Sequence, residues 1–83
     1  MKVTVRYFAS IREAIGRGGE LRETSAGTLA ALRDELLAAS PAHADSLARG
    51  KSVRMALNQV MSDESAVLSE GCEVAFFPPV TGG

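Results

Sequence analysis

The sequence has no tryptophan, one cysteine and one histidine among its 83 residues. A single cysteine excludes a disulfide within the chain. One cysteine and one histidine also cannot complete the four-ligand shell of a structural zinc site. We therefore expect no metal site.

The chain also lacks an excess of charge of either sign. Nine Lys and Arg residues face ten Asp and Glu residues, for a formal net charge of -1. Nucleic-acid-binding domains carry a basic excess, so we expect no nucleic-acid partner. No apolar run approaches the roughly 20 residues that span a bilayer, and the start of the chain lacks the apolar block of a signal peptide. These features predict no membrane partner and a cytoplasmic location.

The size of the chain limits what it can enclose. Hydrophobic residues make up 46% of 83 residues, which suits one small ordered domain with a modest core. A core of that size rarely leaves room for a substrate pocket. We therefore expect a chain that is not an enzyme by itself.

The first third of the chain predicts two strands and a short helix. Residues 2–8 alternate between apolar and polar side chains, as in a half-buried strand. Its apolar side is formed by Val3, Val5 and Tyr7. Ser10 and Glu13 have the spacing of a capping box, which predicts a helix start. Residues 20–24 predict a second strand with Leu21 pointing inward.

The middle of the chain predicts one long helix and a connection. Thr28 is a favourable N-cap, and the helix ends near Ser40 because a proline follows. The apolar stripe of this helix consists of Leu29, Leu32, Leu36 and Leu37. Residues 41–51 are expected to form a connection with a helical turn at 44–48. His43 is expected to be a solvated loop residue.

The last third predicts three strands. Residues 53–57 alternate, Asn58 and Gln59 predict a turn, and residues 60–61 suit a very short strand. Residues 73–77 form the final strand. Alternation within it places Val74 and Phe76 on one face and Ala75 and Phe77 on the other.

This order of elements predicts an α+β fold. A mixed sheet of about five strands would be covered by one main helix, in the ubiquitin-like β-grasp arrangement. The first and last strands would be central and parallel, because the long helix between them can serve as their crossover. We expect a domain over residues 1–77 and an extended tail over residues 78–83.

The tail contains the candidate reactive group. Pro78 and Pro79 cannot donate backbone hydrogen bonds, so they end the sheet and favour extended backbone. Gly82 and Gly83 lack a Cβ atom, so their backbone fits a channel too narrow for other residues. A frayed terminus is the alternative. The carboxylate of Gly83 would need activation by a partner enzyme, because the chain has no phosphate-binding glycine loop.

Three segments resemble a known family. MKVTVRYFASIRE at the start, ALNQ at 56–59 and EGCEVAFFPPVTGG at the end are similar to the small subunit of molybdopterin synthase. That family comprises β-grasp sulfur carriers of molybdenum cofactor biosynthesis. The resemblance runs over nearly the whole chain.

The resemblance implies a reaction sequence at Gly83. An E1-like adenylyltransferase would use ATP to form an acyl-adenylate, and a persulfide sulfur donor would convert it to a thiocarboxylate. The tail, consisting of Pro78, Pro79, Val80, Thr81, Gly82 and Gly83, would then enter the large synthase subunit. There it would donate sulfur to cyclic pyranopterin monophosphate, and two transfers would form the molybdopterin dithiolene.

The resemblance also implies an assembly and an interface. Two small and two large subunits would form a heterotetramer, with the catalytic side chains on the large subunit and no cofactor bound stably by this chain. Met61 and Phe77 match hydrophobic positions of the partner surface. For Phe77 the alternative is packing under the two prolines, and for Met61 it is a place at the edge of the core.

Three other functions compete with this interpretation. A sister sulfur carrier for thiamine or an amino acid would share the tail and its activation. A ubiquitin-like interaction module could carry an incidental Gly-Gly end or be conjugated to lysines. Cys72, where the family commonly has an acidic or polar residue, could itself carry sulfur as a persulfide, although Glu70 and Glu73 flank it and a reactive thiol prefers positive surroundings.

Overall fold

The computed structural model of the chain describes residues 1–79. Five strands and three helices follow one another along it. In chain order they are β1 (Lys2–Tyr7), α1 (Ala9–Ile15), β2 (Gly19–Glu23), α2 (Leu29–Leu37), α3 (Pro41–Leu47), β3 (Arg54–Leu57), β4 (Val60–Ser62) and β5 (Glu73–Phe77). Within residues 1–79 there is no helix of the length and hydropathy needed to cross a membrane.

The strands form one mixed sheet in the order β2-β1-β5-β3-β4. β1 and β5 pair in parallel, whereas the other three pairs are antiparallel. The prediction of adjacent, parallel first and last strands is therefore confirmed. The register places Val5 beside Val74 and Tyr7 beside Phe76. These four side chains therefore lie together on the face of the sheet that the helices cover.

All three helices contribute to one core, whereas the sequence predicted one main helix. Side chains from each helix pack against the apolar face of the sheet. The fully buried members of this core are Val3, Val5, Tyr7, Leu29, Leu32, Leu36, Leu47, Val74 and Phe76. The α+β, β-grasp architecture is confirmed, with α1 and α3 as additional cover.

Two turns have the conformations that their residues favour. Gly16 ends α1 with a φ of 92°, a left-handed conformation that costs glycine little. Asn58 and Gln59 have φ values of 50° and 69° between β3 and β4. Two successive left-handed residues are typical of a two-residue hairpin turn, as predicted there.

The prediction that Leu21 points inward is wrong. Leu21 pairs with Thr4 on the face of the sheet away from the helices, and 76% of its surface is exposed. Its neighbours Glu20 and Arg22 point to the helices instead. β2 is an edge strand, so these polar side chains meet partners at the rim of the core: Arg22 Nε lies 3.4 Å from Glu35 Oε2 of α2.

The start of α1 also differs from the prediction. The helix begins at Ala9, and its N-cap is Phe8, which has no side-chain cap hydrogen bond. Ser10 and Glu13 both lie exposed within the helix rather than forming a capping box. The carbonyl oxygen of Phe8 accepts from the backbone N–H groups of Ile11 and Arg12. These backbone hydrogen bonds, rather than a side-chain cap, therefore mark the start of the helix.

The connection after α2 is more ordered than predicted. α2 begins after Thr28, whose hydroxyl accepts from the backbone N–H of Ala31, so the predicted N-cap is confirmed. It ends at Leu37, and α3 then forms with Ser40 as its N-cap. Buried Arg33 of α2 donates to the carbonyl oxygens of Leu47 and Ala48 at the end of α3. This burial lowers the pKa of Arg33.

Candidate functional site

The base of the tail lies at the end of the central strand. β5 ends at Phe77, and Pro78 and Pro79 follow outside the sheet, as their missing N–H groups require. The other predicted tail residues lie outside the described residues: Val80, Thr81, Gly82 and Gly83. Their roles, and the division of the chain at residue 77, stay predictions.

Phe77 stacks on Phe8 on the helix-free face of the sheet. The two ring centroids are 4.7 Å apart and the planes differ by 12°. Phe8 reaches this position because it follows β1 directly and its N–H donates to the carbonyl oxygen of Phe76 at 3.2 Å. Phe77 therefore packs on another aromatic ring, and Phe8 is a site residue that the sequence analysis did not single out.

An apolar groove of about 260 Å³ surrounds this aromatic pair. We call it the sheet-side groove. It is lined by Phe8, Ala9, Arg54, Met61, Phe77 and Pro78. Met61 pairs with Ala56 across the sheet, and 57% of its surface is exposed, so the alternative of a core position is wrong. Partly exposed aromatic and thioether side chains in a concave surface are typical of protein docking sites.

Positive charges border the sheet-side groove. The guanidinium carbon of Arg6 lies 5.6 Å from the centroid of the Phe8 ring, and its Nη1 is 3.5 Å from Glu73 Oε2. Arg54 is also exposed and lines the groove. A partner with acidic groups around an apolar centre would complement this surface, and such charges affect the rate and specificity of association more than its strength.

Ala9 introduces strain beside this groove. Its φ of 50° lies in the left-handed region that residues with a Cβ rarely adopt. Strained backbone of this kind often occurs at functional sites, where surrounding structure enforces it. Here the strain lies between Phe8 in the groove and the first turn of α1.

A buried polar cluster lies on the opposite, helix-covered face. The Tyr7 hydroxyl donates to Glu20 Oε2 at 2.9 Å, and His43 Nε2 lies 3.2 Å from that hydroxyl. Ser40 Oγ is 2.7 Å from His43 Nδ1. The prediction of a solvated His43 is wrong, because only 5% of its surface is exposed. The Ser-Pro pair at 40–41 is a helix-start signal that would have placed His43 in the first turn of α3.

The cluster shifts two acid–base equilibria in opposite directions. Burial, together with the neighbouring Glu20 carboxylate, raises the pKa of Tyr7. Burial alone would also raise the pKa of Glu20. Hydrogen bonds from Tyr7 and His43 and the charge of Arg17 outweigh it, so that the pKa of Glu20 is lowered. The cluster joins α3 to the sheet, and none of its residues lines the sheet-side groove.

Cys72 is placed as a core residue. Only 3% of its surface is exposed, and it packs within the hydrophobic cluster. Burial among apolar side chains makes a thiol inert toward partners. Within the part of the chain that the structure describes, no group of three or more His, Cys, Asp or Glu side chains is placed to hold a metal ion.

The architecture defines a ubiquitin-like β-grasp protein, and the sheet-side groove lies where its last strand ends. The crystal structure of SAMP1 from Haloferax volcanii covers the whole of both chains with a TM-score of 0.80, and its 22% identity shows the shared fold alone. A family model described as the ThiS family matches residues 5–83. The chain belongs to the ThiS family.

Two further proteins are similar at higher sequence identity. The molybdopterin synthase sulfur carrier subunit of Escherichia coli (strain K12) is 40% identical over 81 residues, covering 98% of this chain and 99% of that protein. In the complex of subunits 1 and 2 of the molybdopterin-converting factor from Helicobacter pylori 26695, one chain is 27% identical, with a TM-score of 0.73 and full coverage of both chains. The resemblance predicted from the sequence is thereby confirmed.

Proposed function

We propose that this chain is a sulfur carrier of molybdenum cofactor biosynthesis and the small subunit of a molybdopterin synthase. The observation that carries the proposal is the 40% identity to the Escherichia coli sulfur carrier subunit over nearly the full length of both chains. The sheet-side groove supports it, because Phe77 and Met61 line an apolar surface where the tail begins.

Activation would take place at the carboxylate of Gly83. An E1-like adenylyltransferase would transfer AMP from ATP to this carboxylate, with release of pyrophosphate. The terminal sulfur of a persulfide donor would attack the carbonyl carbon and displace AMP. A thiol would then cleave the remaining S–S bond, leaving the thiocarboxylate on Gly83 and a disulfide on the donor side.

Sulfur delivery would take place in the large subunit. The sheet-side groove would dock on that subunit, and residues 78–83 would enter its active site. Gly82 and Gly83 suit a narrow channel because neither carries a side chain. The thiocarboxylate sulfur of Gly83 would attack a carbon of cyclic pyranopterin monophosphate and displace an oxygen substituent. Water would then hydrolyse the acyl–sulfur bond, which leaves the sulfur on the pterin and a carboxylate on Gly83. The partner's side chains would perform the proton transfers, so this chain would act as the sulfur-donating subunit. The heterotetramer of two small and two large subunits is part of the proposal.

Intact mass spectrometry of protein isolated from cells tests the chemistry. We expect a fraction heavier by the replacement of one oxygen by one sulfur, located at Gly83. Deleting Gly83, or extending the chain beyond it, is expected to abolish sulfur transfer. Cys72→Ser is the matched control, because it removes the only thiol and should leave transfer intact. Unimpaired transfer by the deletion variant would overturn the proposal, and loss of transfer in Cys72→Ser would point to a persulfide on Cys72.

The partner distinguishes this function from its alternatives. Co-expression with candidate large subunits, followed by size-exclusion chromatography, should give a complex of two small and two large subunits. Co-purification with a thiazole synthase instead would favour a sister sulfur carrier. Covalent adducts on lysines of other proteins would favour a ubiquitin-like modifier.

A further inference from the structure

Ala9 joins two fixed parts of the chain at the point where β1 has ended and α1 begins. On one side, the N–H of Phe8 donates to the carbonyl oxygen of Phe76, which keeps Phe8 beside β5. On the other side, the carbonyl oxygen of Phe8 accepts from the backbone of Ile11 and Arg12, and the Ile11 side chain is buried in the core. The chain must therefore pass from the open face of the sheet to the covered face between Phe8 and Ile11. Ala9 lies in this passage and has a φ of 50°.

The backbone conformation of Ala9 favours glycine over alanine. In the left-handed region the Cβ of an L-residue comes too close to the following carbonyl oxygen, which raises the energy of the folded chain. Glycine has no Cβ and adopts such φ values without this penalty, as Gly16 does at the other end of α1. The alanine methyl group does not stabilise the core in return, because Ala9 is exposed. On backbone grounds alone, glycine at position 9 would therefore give a more stable domain.

The exposed surface of Ala9 belongs to the sheet-side groove. Ala9 lines this groove together with Met61 and the stacked rings of Phe8 and Phe77. A methyl group in such an apolar surface adds to the area that a docked protein removes from water, and burial of that area strengthens binding. A β-branched side chain could not supply this area, because such residues are outliers at positive φ.

We propose that the methyl group of Ala9 contacts the large synthase subunit in the complex, so that a residue which lowers the stability of the free domain raises its affinity for the partner. The inference rests on the proposed function, which supplies this partner and its place at the sheet-side groove. It separates two quantities that a purely structural residue would change together: the stability of the domain and the affinity of the complex.

Two substitutions at position 9 test this assignment. In Ala9→Gly the relief of strain exceeds the entropy that glycine adds to the unfolded chain, so the melting temperature is expected to rise by about 2–5 °C. Affinity for the large synthase subunit, measured by isothermal titration calorimetry, should fall about fourfold through loss of one buried methyl group. Ala9→Asn keeps a side chain that tolerates positive φ but puts an amide into the apolar groove. Its melting temperature should stay at or above that of wild type, and its affinity should fall at least as far as that of Ala9→Gly.

Ala14→Gly is the matched control, because it makes the same change within the same helix. Ala14 is exposed, has no left-handed backbone and does not line the sheet-side groove. Glycine inside a helix is destabilising, so the melting temperature of this variant should fall by about 2–8 °C. Its affinity for the large subunit should equal that of wild type.

The outcomes separate this inference from the proposed function. A lower melting temperature in Ala9→Gly would overturn the inference, because position 9 would then not be strained. Wild-type affinity in Ala9→Asn would also overturn it, because a loss confined to Ala9→Gly would come from added backbone freedom beside Phe8. In both cases the carrier function stands if the wild-type chain binds the large subunit and carries a thiocarboxylate at Gly83. A wild-type chain that binds no large subunit would overturn the proposed function together with the contact, whatever the melting temperatures.

Discussion

Phe76 and Phe77 are neighbours in β5, yet they face different surroundings. Phe76 is fully buried and stacks on Tyr7 at a centroid distance of 6.2 Å, under the helices. Phe77 is partly exposed and stacks on Phe8, on the helix-free face. One sheet thus uses alternate residues of the same strand for two purposes. The covered face stabilises the domain, and the open face presents an apolar surface beside the tail.

The two faces of the sheet also differ in how they accommodate polar side chains. On the covered face the ionisable groups at the edge of the core, Glu20 and His43, are joined in one hydrogen-bonded cluster with Tyr7. On the open face Arg6 and Arg54 are exposed, and Arg6 lies 3.5 Å from the Glu73 carboxylate. Burial demands partners for polar groups, whereas exposure leaves them available to a binding protein.

Phe76→Ala is expected to have the largest effect, because it removes a fully buried ring from the covered face. Deleting a phenylalanine side chain from a core costs about 3–5 kcal/mol of unfolding free energy. Denaturation by urea, followed by circular dichroism, measures the loss. A loss no greater than that of Phe77→Ala would erase the proposed difference between the two faces.

Phe77→Ala is expected to affect binding more than folding. Removing the stack on Phe8 should cost about 1 kcal/mol of stability. Affinity for the large synthase subunit should fall about tenfold or more, as for an aromatic residue central to an interface. Isothermal titration calorimetry measures the affinity.

Leu21→Ala is the matched control for Phe77→Ala. It removes an exposed apolar side chain from the same face of the sheet, outside the lining of the sheet-side groove. Its affinity should stay within about twofold of wild type, the small effect typical of a residue outside the centre of an interface. Equal losses in both variants would argue against a docking site centred on Phe77.

Glu20→Gln is expected to have the smallest effect, and that effect should depend on pH. The hydrogen bonds and the Arg17 charge that lower the pKa of Glu20 stabilise the folded state above the ordinary carboxyl value near 4.5. That stabilisation is lost as pH falls through the lowered pKa of the folded state. At neutral pH the substitution should cost about 1 kcal/mol of unfolding free energy.

Denaturation from about pH 7 to about pH 3 tests the sign of this linkage. The difference in unfolding free energy between wild type and Glu20→Gln should shrink as the solution becomes acidic. Glu13→Gln, which removes a carboxylate from the exposed side of α1, is the matched control. A Glu20→Gln difference that stays constant across this range would show that the carboxylate adds nothing to the covered face.

Much of the fold could be predicted because strand faces, turns and helix starts depend on residues that are close together in the sequence. Alternation in β1 and β5 identified the buried faces, and the sequence Asn58-Gln59 identified the hairpin turn. Thr28 identified the start of α2. Each prediction rests on side-chain periodicity or on the backbone preference of one residue. The tail residues 80–83 were singled out by the same kind of argument, and their function remains a proposal.

The errors occurred where the answer depended on distant residues. Leu21 was expected to point inward, but its direction depends on the register of β2 against β1. His43 looked solvated by its sequence neighbours, yet Tyr7 and Glu20 bury it from the other side of the core. Phe8 gains its role because the parallel pairing of β1 and β5 brings it onto Phe77.

The sequence by itself determined the five strands and the start of α2, the apolar side of β1, and where the sheet must end. These properties follow from steric and hydrogen-bonding limits within a few residues. Only the tertiary structure decided which polar groups share a buried cluster and which aromatic rings remain partly exposed on the open face. Those outcomes require elements far apart in sequence to pack together, and local preferences cannot specify that packing.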